Sequence, residues 1–150
     1  MSIELSERDY TPLAAFPFQH WDQRSGPPYS LLRPLTPDAA RRVWQRAVRF
    51  SGLSWSEPVS AAADRFDLLA DDIQWDESTV RDWLIDQIPQ RDEPVILCFQ
   101  PEIAVCVDWG VLCDHWLKLF WTAGCAWPLS ERWILLHDGN QFVFGYAQDQ

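Results

Sequence analysis

Apolar positions along this chain change their period near residue 90, from helical spacing before it to short continuous or alternating runs after it. Val43, Trp44, Ala47 and Val48 recur at helical spacing with arginines on the opposite face, behind Thr36 as N-cap and Pro37 at the first helical position. That pattern predicts a helix over about 37 to 50, ended by Ser51-Gly52. Ala61, Ala62, Phe66, Leu68 and Leu69 predict a shorter helix after Pro58, closed at Asp71-Asp72. Asp76, Glu77 and Ser78 stand ahead of Val80, Trp83, Leu84 and Ile88, the mark of a further helix that Pro89 stops.

Beyond Pro94 the pattern is that of strands. Val95 to Phe99 is an apolar run of strand length, Gln100-Pro101-Glu102 reads as a turn, and Ile103 to Asp108 alternates. Asp108 is placed to cap a helix from Trp109 to about Trp121 carrying Leu112, Trp116, Leu119 and Phe120 on one stripe, with Gly110 weakening it. Asp138-Gly139-Asn140 then separates two aromatic, apolar runs, a strong hairpin signal because a type I′ turn needs positive φ at its two central positions. The expectation is a single-domain α+β fold. It has about four antiparallel strands in two hairpins, 94–108 and 131–146, and three to four helices that cover one sheet face. Residues 1–35, rich in Pro and aromatics, are expected as an extended segment laid over that domain.

Charge sharpens this picture. Glu57 to Asp114 carries fourteen acids against three Arg, net −11, whereas the rest has eight acids against nine bases, net +1. A concentrated acidic face repels nucleic acid and attracts a basic protein. Arg33, Arg41, Arg42, Arg46 and Arg49 make the region before residue 50 locally positive and are expected to pair within the molecule, with anion binding as the alternative. Ten Trp exceed what a central core needs, so some are expected at a boundary or interface. The apolar share of 47% suffices for one core, and a monomer or weak dimer is expected. No apolar run reaches the ~18 residues of a membrane span. The polar, acidic start and four Cys without CxxC spacing indicate a cytoplasmic protein with reduced thiols.

Chemical motifs are sparse. Cys113 or Cys106 with His115 or His137 is the nearest approach to a nucleophile and base, but Cys113 and His115 lie two apart and diverge on a helix. Cys113, Asp114, His115, His137 and Asp138 match neither HExxH nor a zinc ribbon. Neither GxGxxG nor GxxxxGK occurs, so no cofactor is expected. The carboxylate pairs Asp71-Asp72 and Asp76-Glu77 read as solvated surface before they read as hydrolytic acids.

Asp108-Trp109-Gly110-Val111, His115-Trp116, Leu119-Phe120-Trp121, the run Trp133 to Gly139, and Phe142-Val143-Phe144-Gly145 together resemble small Trp-rich bacterial families of unassigned function. Some of those families are associated with immunity proteins of polymorphic or contact-dependent toxin systems. The resemblance spans about residues 70 to 146 and implies a non-catalytic inhibitor that occludes a basic toxin. Asp71, Asp72, Asp76, Glu77, Asp82 and Asp86 would then meet cationic residues, with Trp75 as the buried anchor. Two alternatives stay open, a small hydrolase or transferase with a Trp-lined pocket and a subunit of a larger assembly.

Overall fold

A strand covered on both faces must be apolar at nearly every position, and four strands at the centre of this protein meet that condition. The computed structural model describes residues 4–12, 29–51, 69–71, 76–119, 124–137 and 142–146. In chain order the elements are β1 (Arg33–Pro34), α1 (Pro37–Ser51), β2 (Leu69–Asp71), α2 (Glu77–Gln87), β3 (Pro94–Gln100), β4 (Ile103–Asp108), α3 (Trp109–Asp114), α4 (Trp116–Leu119), β5 (Gly124–Pro128), β6 (Trp133–His137) and β7 (Phe142–Tyr146). Short 3-10 turns stand at Glu7–Asp9 and Tyr29–Leu31.

The strands form one sheet in the order β1-β4-β3-β5-β6-β7-β2, with every neighbouring pair antiparallel. Both expected hairpin pairings are present, with Ile96 opposite Cys106 and Leu135 opposite Phe144. The described residues, however, hold seven strands and not four. β5 lies between the two hairpins, and its Gly-Cys-Ala-Trp-Pro composition has little strand propensity; ladders to β3 on one side and β6 on the other hold it in place. Gly124 sits where a Cβ would lie 2.9 Å from the Cys98 carbonyl oxygen, so the close approach of β3 and β5 requires glycine there. β1 and β2 are edge strands of two and three residues, too short to display a period.

Leu69–Asp71, expected as the end of a helix, is instead the strand that closes the sheet against Phe142–Phe144 of β7. The remainder of that expected helix, the 138–141 turn and positions 13–28 of the N-terminal segment lie outside the described residues. The helix expected over 109–121 is interrupted at His115, whose φ of −127° and ψ of 26° leave the helical region. His115 then starts the next turn, its carbonyl accepting from the N–H groups of Lys118 and Leu119.

Helices cover both faces of the sheet, not one. Along β3, Val95, Leu97 and Phe99 face α2, α3 and α4, joined by Val105, Val107, Trp133, Leu135 and Phe144 from neighbouring strands. Ile96 and Cys98 face the other way, toward Ala39, Ala40, Val43 and Ala47 of α1, with Trp127, Ile134 and Leu136. The alanines of α1 let its backbone approach the sheet, and Thr36 caps it by accepting the Ala39 N–H at 3.3 Å.

Two buried tryptophans fasten α2 to the shorter helices. The Trp109 indole N–H donates to the Ile88 carbonyl at 2.8 Å, at the C-terminal end of α2, and the Trp116 indole N–H donates to the Glu77 carbonyl at 2.9 Å, in its first turn. Those carbonyls are about 16 Å apart along α2, whereas a straight helix separates Trp109 from Trp116 by only about 10 Å. The break at His115 therefore lies within the segment that must span both ends of α2. Gly110, which weakens α3 as a helix, packs on the Arg91 turn: its N–H donates to the Arg91 carbonyl at 2.8 Å. A Cβ there would come within 3.0 Å of that carbonyl oxygen. Trp109 also meets Trp133 edge-on at 4.9 Å between ring centroids. Trp109→Phe keeps an aromatic ring but strands a buried carbonyl, and should lower unfolding free energy by about 1–3 kcal/mol in urea denaturation. A variant as stable as the parent would show that the indole bond contributes nothing.

Candidate protein-binding interface

The charge pattern of α2 follows from how it is pinned. Val80, Leu84 and Ile88 recur every four residues and are buried, and the half-buried Trp83 ring lies 5.4 Å from Phe144 and 6.4 Å from Phe142. With that stripe inward, Asp82 and Asp86 are exposed one turn apart on the outward face. Asp76 is the N-cap, accepting from the Ser78 N–H at 3.1 Å and the Thr79 hydroxyl at 2.8 Å. These bonds, the Thr79 hydroxyl foremost, hold the Asp76 carboxyl below its ordinary value of 3.8.

The one cation on this helix is turned to an internal partner. Arg81 Nε donates to Asp114 Oδ1 at 2.9 Å, and Arg91 Nη2 donates to Asp114 Oδ2 at 2.6 Å. Glu77, Asp82 and Asp86 form no ion pair with the described residues. Like charges four apart on a helix repel, costing about 0.2–0.5 kcal/mol, and Asp86 in the last turn also opposes the helix dipole. Neither feature serves the stability of the folded chain.

The arginines of α1 and β1 do not relieve this charge. Arg41 pairs with Asp38 and, at 2.7 Å, with Glu102; Arg42 pairs with Asp9, Arg46 with Glu131, and Arg33 with Glu7 at 3.3 Å. Intramolecular pairing is as expected for these four, but its acids belong to the N-terminal segment, to turns and to α1 itself, and none belongs to α2. Glu131 holds its partner from a backbone with φ of 58°, the left-handed region that disfavours a side chain. The other expected interface residues are spread more widely. Asp71 occupies β2, opposite Phe142, while Asp72 and Trp75 lie outside the described residues. Asp76, Glu77, Asp82 and Asp86 are thus brought together by one helix, and Asp71 by the strand beside β7.

Of the groups considered for covalent chemistry, the cysteines and His137 are placed as core, while His115 is half-buried at the break between α3 and α4. All four cysteines are buried and free, and burial pushes the Cys113 thiol up to about 12. The Cys98 thiol is raised by its hydrogen bond with Cys125 and by burial, and burial raises Cys106 as well. His137 is buried against Phe142 at 4.4 Å between ring centroids. Among the described residues no three His, Cys, Asp or Glu side chains converge as metal donors. Among the same residues no helix is long and apolar enough to cross a membrane.

A cavity of about 370 Å³ opens beside β1 and β4. Leu31, Pro94, Val107, Val111 and Leu129 line it, with Tyr10, Arg33, Cys106 and Asp108 as its polar groups, and no tryptophan among them. Sequence reasoning missed this site because an isolated bridge between Tyr10 and Leu35 assembles it from distant segments, and no spacing in the chain announces that bridge.

Comparison with protein-family models, with curated proteins and with solved structures gives no match.

The Asp76 cap and the buried Cys113 thiol each lead to an expected outcome. Folding lowers the Asp76 pKa, so the stability it contributes is complete above its unfolded value and is lost as pH falls through the folded one, below 3.8. Asp76→Ala should therefore lower the urea midpoint at neutral pH, by a difference that shrinks as pH falls below 3.8 and the parent's Asp76 takes up its proton. A pH-independent difference would contradict the capping role. Iodoacetamide at neutral pH should leave Cys113 unmodified in the folded protein and alkylate it after denaturation, read by mass spectrometry. Rapid modification of the folded chain would mean an accessible thiolate.

Proposed function

We propose that this chain is a non-catalytic, cytoplasmic protein of the immunity type, which neutralises a basic toxin domain by covering its cationic surface with the outward face of α2. One observation carries the reading. Asp82 and Asp86 stand exposed and without an ion pair among the described residues, on a helix whose one arginine is bonded to Asp114 of the same chain. A same-sign pair that costs stability where it stands gains favourable energy only when a cation arrives from outside.

Segregation also favours speed. Clustered carboxylates raise the association rate with a basic partner, and a toxin that engages nucleic-acid phosphates presents such a surface. Asp76, Glu77, Asp82 and Asp86 form the electrostatic part of the interface in this proposal, extended by Asp71 and Asp72, with Trp75 as the apolar anchor that charge alone does not supply. The mechanism is occlusion: the inhibitor brings acids to the toxin's own phosphate-binding cations and transfers no chemical group.

The test uses a basic toxin domain encoded beside the gene for this chain. Isothermal titration should give tight binding that weakens steeply with salt. Asp82→Lys combined with Asp86→Lys should reduce affinity by about a hundredfold or more and flatten the salt dependence. Unchanged affinity and salt slope would place the interface elsewhere.

A further inference from the structure

We propose that the cavity beside β1 and β4 is a binding site for a small primary alkylammonium ion, separate from the acidic face of α2. Its position follows from the sheet edge. β1 pairs with β4 only at Val105 and Cys106, so the edge beyond, at Val107 and Asp108, has no strand beside it among the described residues. The cavity opens there, and Leu31, one of its lining residues, is 49% exposed, unusual for a large apolar side chain in this protein.

The polar groups of the cavity decide what it accepts. Arg33 lies over the Tyr10 ring at 3.8 Å from the centroid and pairs with Glu7 at 3.3 Å, so its charge is already matched. Tyr10 and Cys106 line the cavity side by side, and burial raises the pKa of both. Asp108 differs. It occupies the N-cap position of α3 with extended backbone angles, φ −71° and ψ 143°, yet its side chain accepts no N–H from that helix. It also forms no ion pair with the described residues. Asp108 is exposed, so its carboxylate is open to solvent and to a ligand from that side.

One exposed carboxylate beside walls formed by Leu31, Pro94, Val107, Val111 and Leu129 describes a site for an ammonium head on an aliphatic stem. A volume of about 370 Å³ admits a stem of several carbons. An anion would meet the Asp108 carboxylate, and would compete with Glu7 for Arg33.

The experiment titrates the full chain with n-pentylammonium, 1-pentanol and pentanoate, following backbone amide NMR shifts of Val107, Asp108 and Val111. The ammonium should give saturable shifts, the alcohol should bind about tenfold or more weakly, and the acid should not saturate. Asp108→Asn should weaken ammonium binding by about tenfold or more, and Val111→Phe, which fills the cavity, should abolish it. Equal binding of alcohol and ammonium, preferential binding of pentanoate, or an unchanged Asp108→Asn variant would each overturn the proposal. The three-ligand comparison on the unaltered chain decides the matter even where a variant fails to fold. Asp82→Lys with Asp86→Lys should bind pentylammonium like the parent, so this site and the toxin interface stand or fall separately.

Discussion

Two indole hydrogen bonds, from Trp109 to the Ile88 carbonyl and from Trp116 to the Glu77 carbonyl, fix the helix that carries the candidate interface. Each is worth only about 1 kcal/mol as a net hydrogen bond, but each belongs to a fully buried ring whose apolar burial contributes more. Their placement matters beyond their strength. By holding α2 at both ends they set its rotation, and rotation decides which residues face outward. A turn of the helix by one residue, about 100°, would carry Asp82 and Asp86 toward the sheet and Leu84 toward water.

That constraint connects the core to the charge distribution. The sheet is covered on both faces, by α1 with its arginines on one side and by α2, α3 and α4 on the other. The two helical layers treat their charges differently. On α1 and β1, Arg33, Arg41, Arg42 and Arg46 each find a carboxylate in the same chain, whereas α2 directs its arginine to Asp114 and keeps Glu77, Asp82 and Asp86 apart from any described cation. Exposed ion pairs of this kind are individually worth about 0–1 kcal/mol, so the contrast says little about stability. Its consequence among the described residues is a field, acidic along α2 and balanced along α1, and such a field acts on what approaches the protein.

How much of this could be read beforehand depended on the length of each signal. The helices at Pro37–Ser51 and Glu77–Gln87 were legible because several turns repeat one stripe between recognisable caps, and the 94–108 hairpin because two apolar runs flank a turn. β5 was not legible, since Gly-Cys-Ala-Trp-Pro becomes a strand only between β3 and β6, and the edge strands at 33–34 and 69–71 are defined by their partners alone. Coverage of both faces was foreshadowed by the unbroken run Val95 to Phe99, which a one-sided sheet would have interrupted with polar residues. The outward placement of Asp82 and Asp86 followed from spacing, but the pairing of Arg81 with Asp114 did not, because Asp114 lies thirty-three residues away in the chain. The cavity polar set was equally hidden, Tyr10 meeting Arg33 only through tertiary contact.

The most direct measurement is hydrogen exchange of this chain, free and bound to a basic toxin domain, followed amide by amide. If α2 is the docking face, exchange slows on binding across residues 76–88 and at 69–71, while α1 is unaffected. Slowed exchange confined to α1 or to the β1 edge, with α2 unchanged, would contradict a role for the acidic helix.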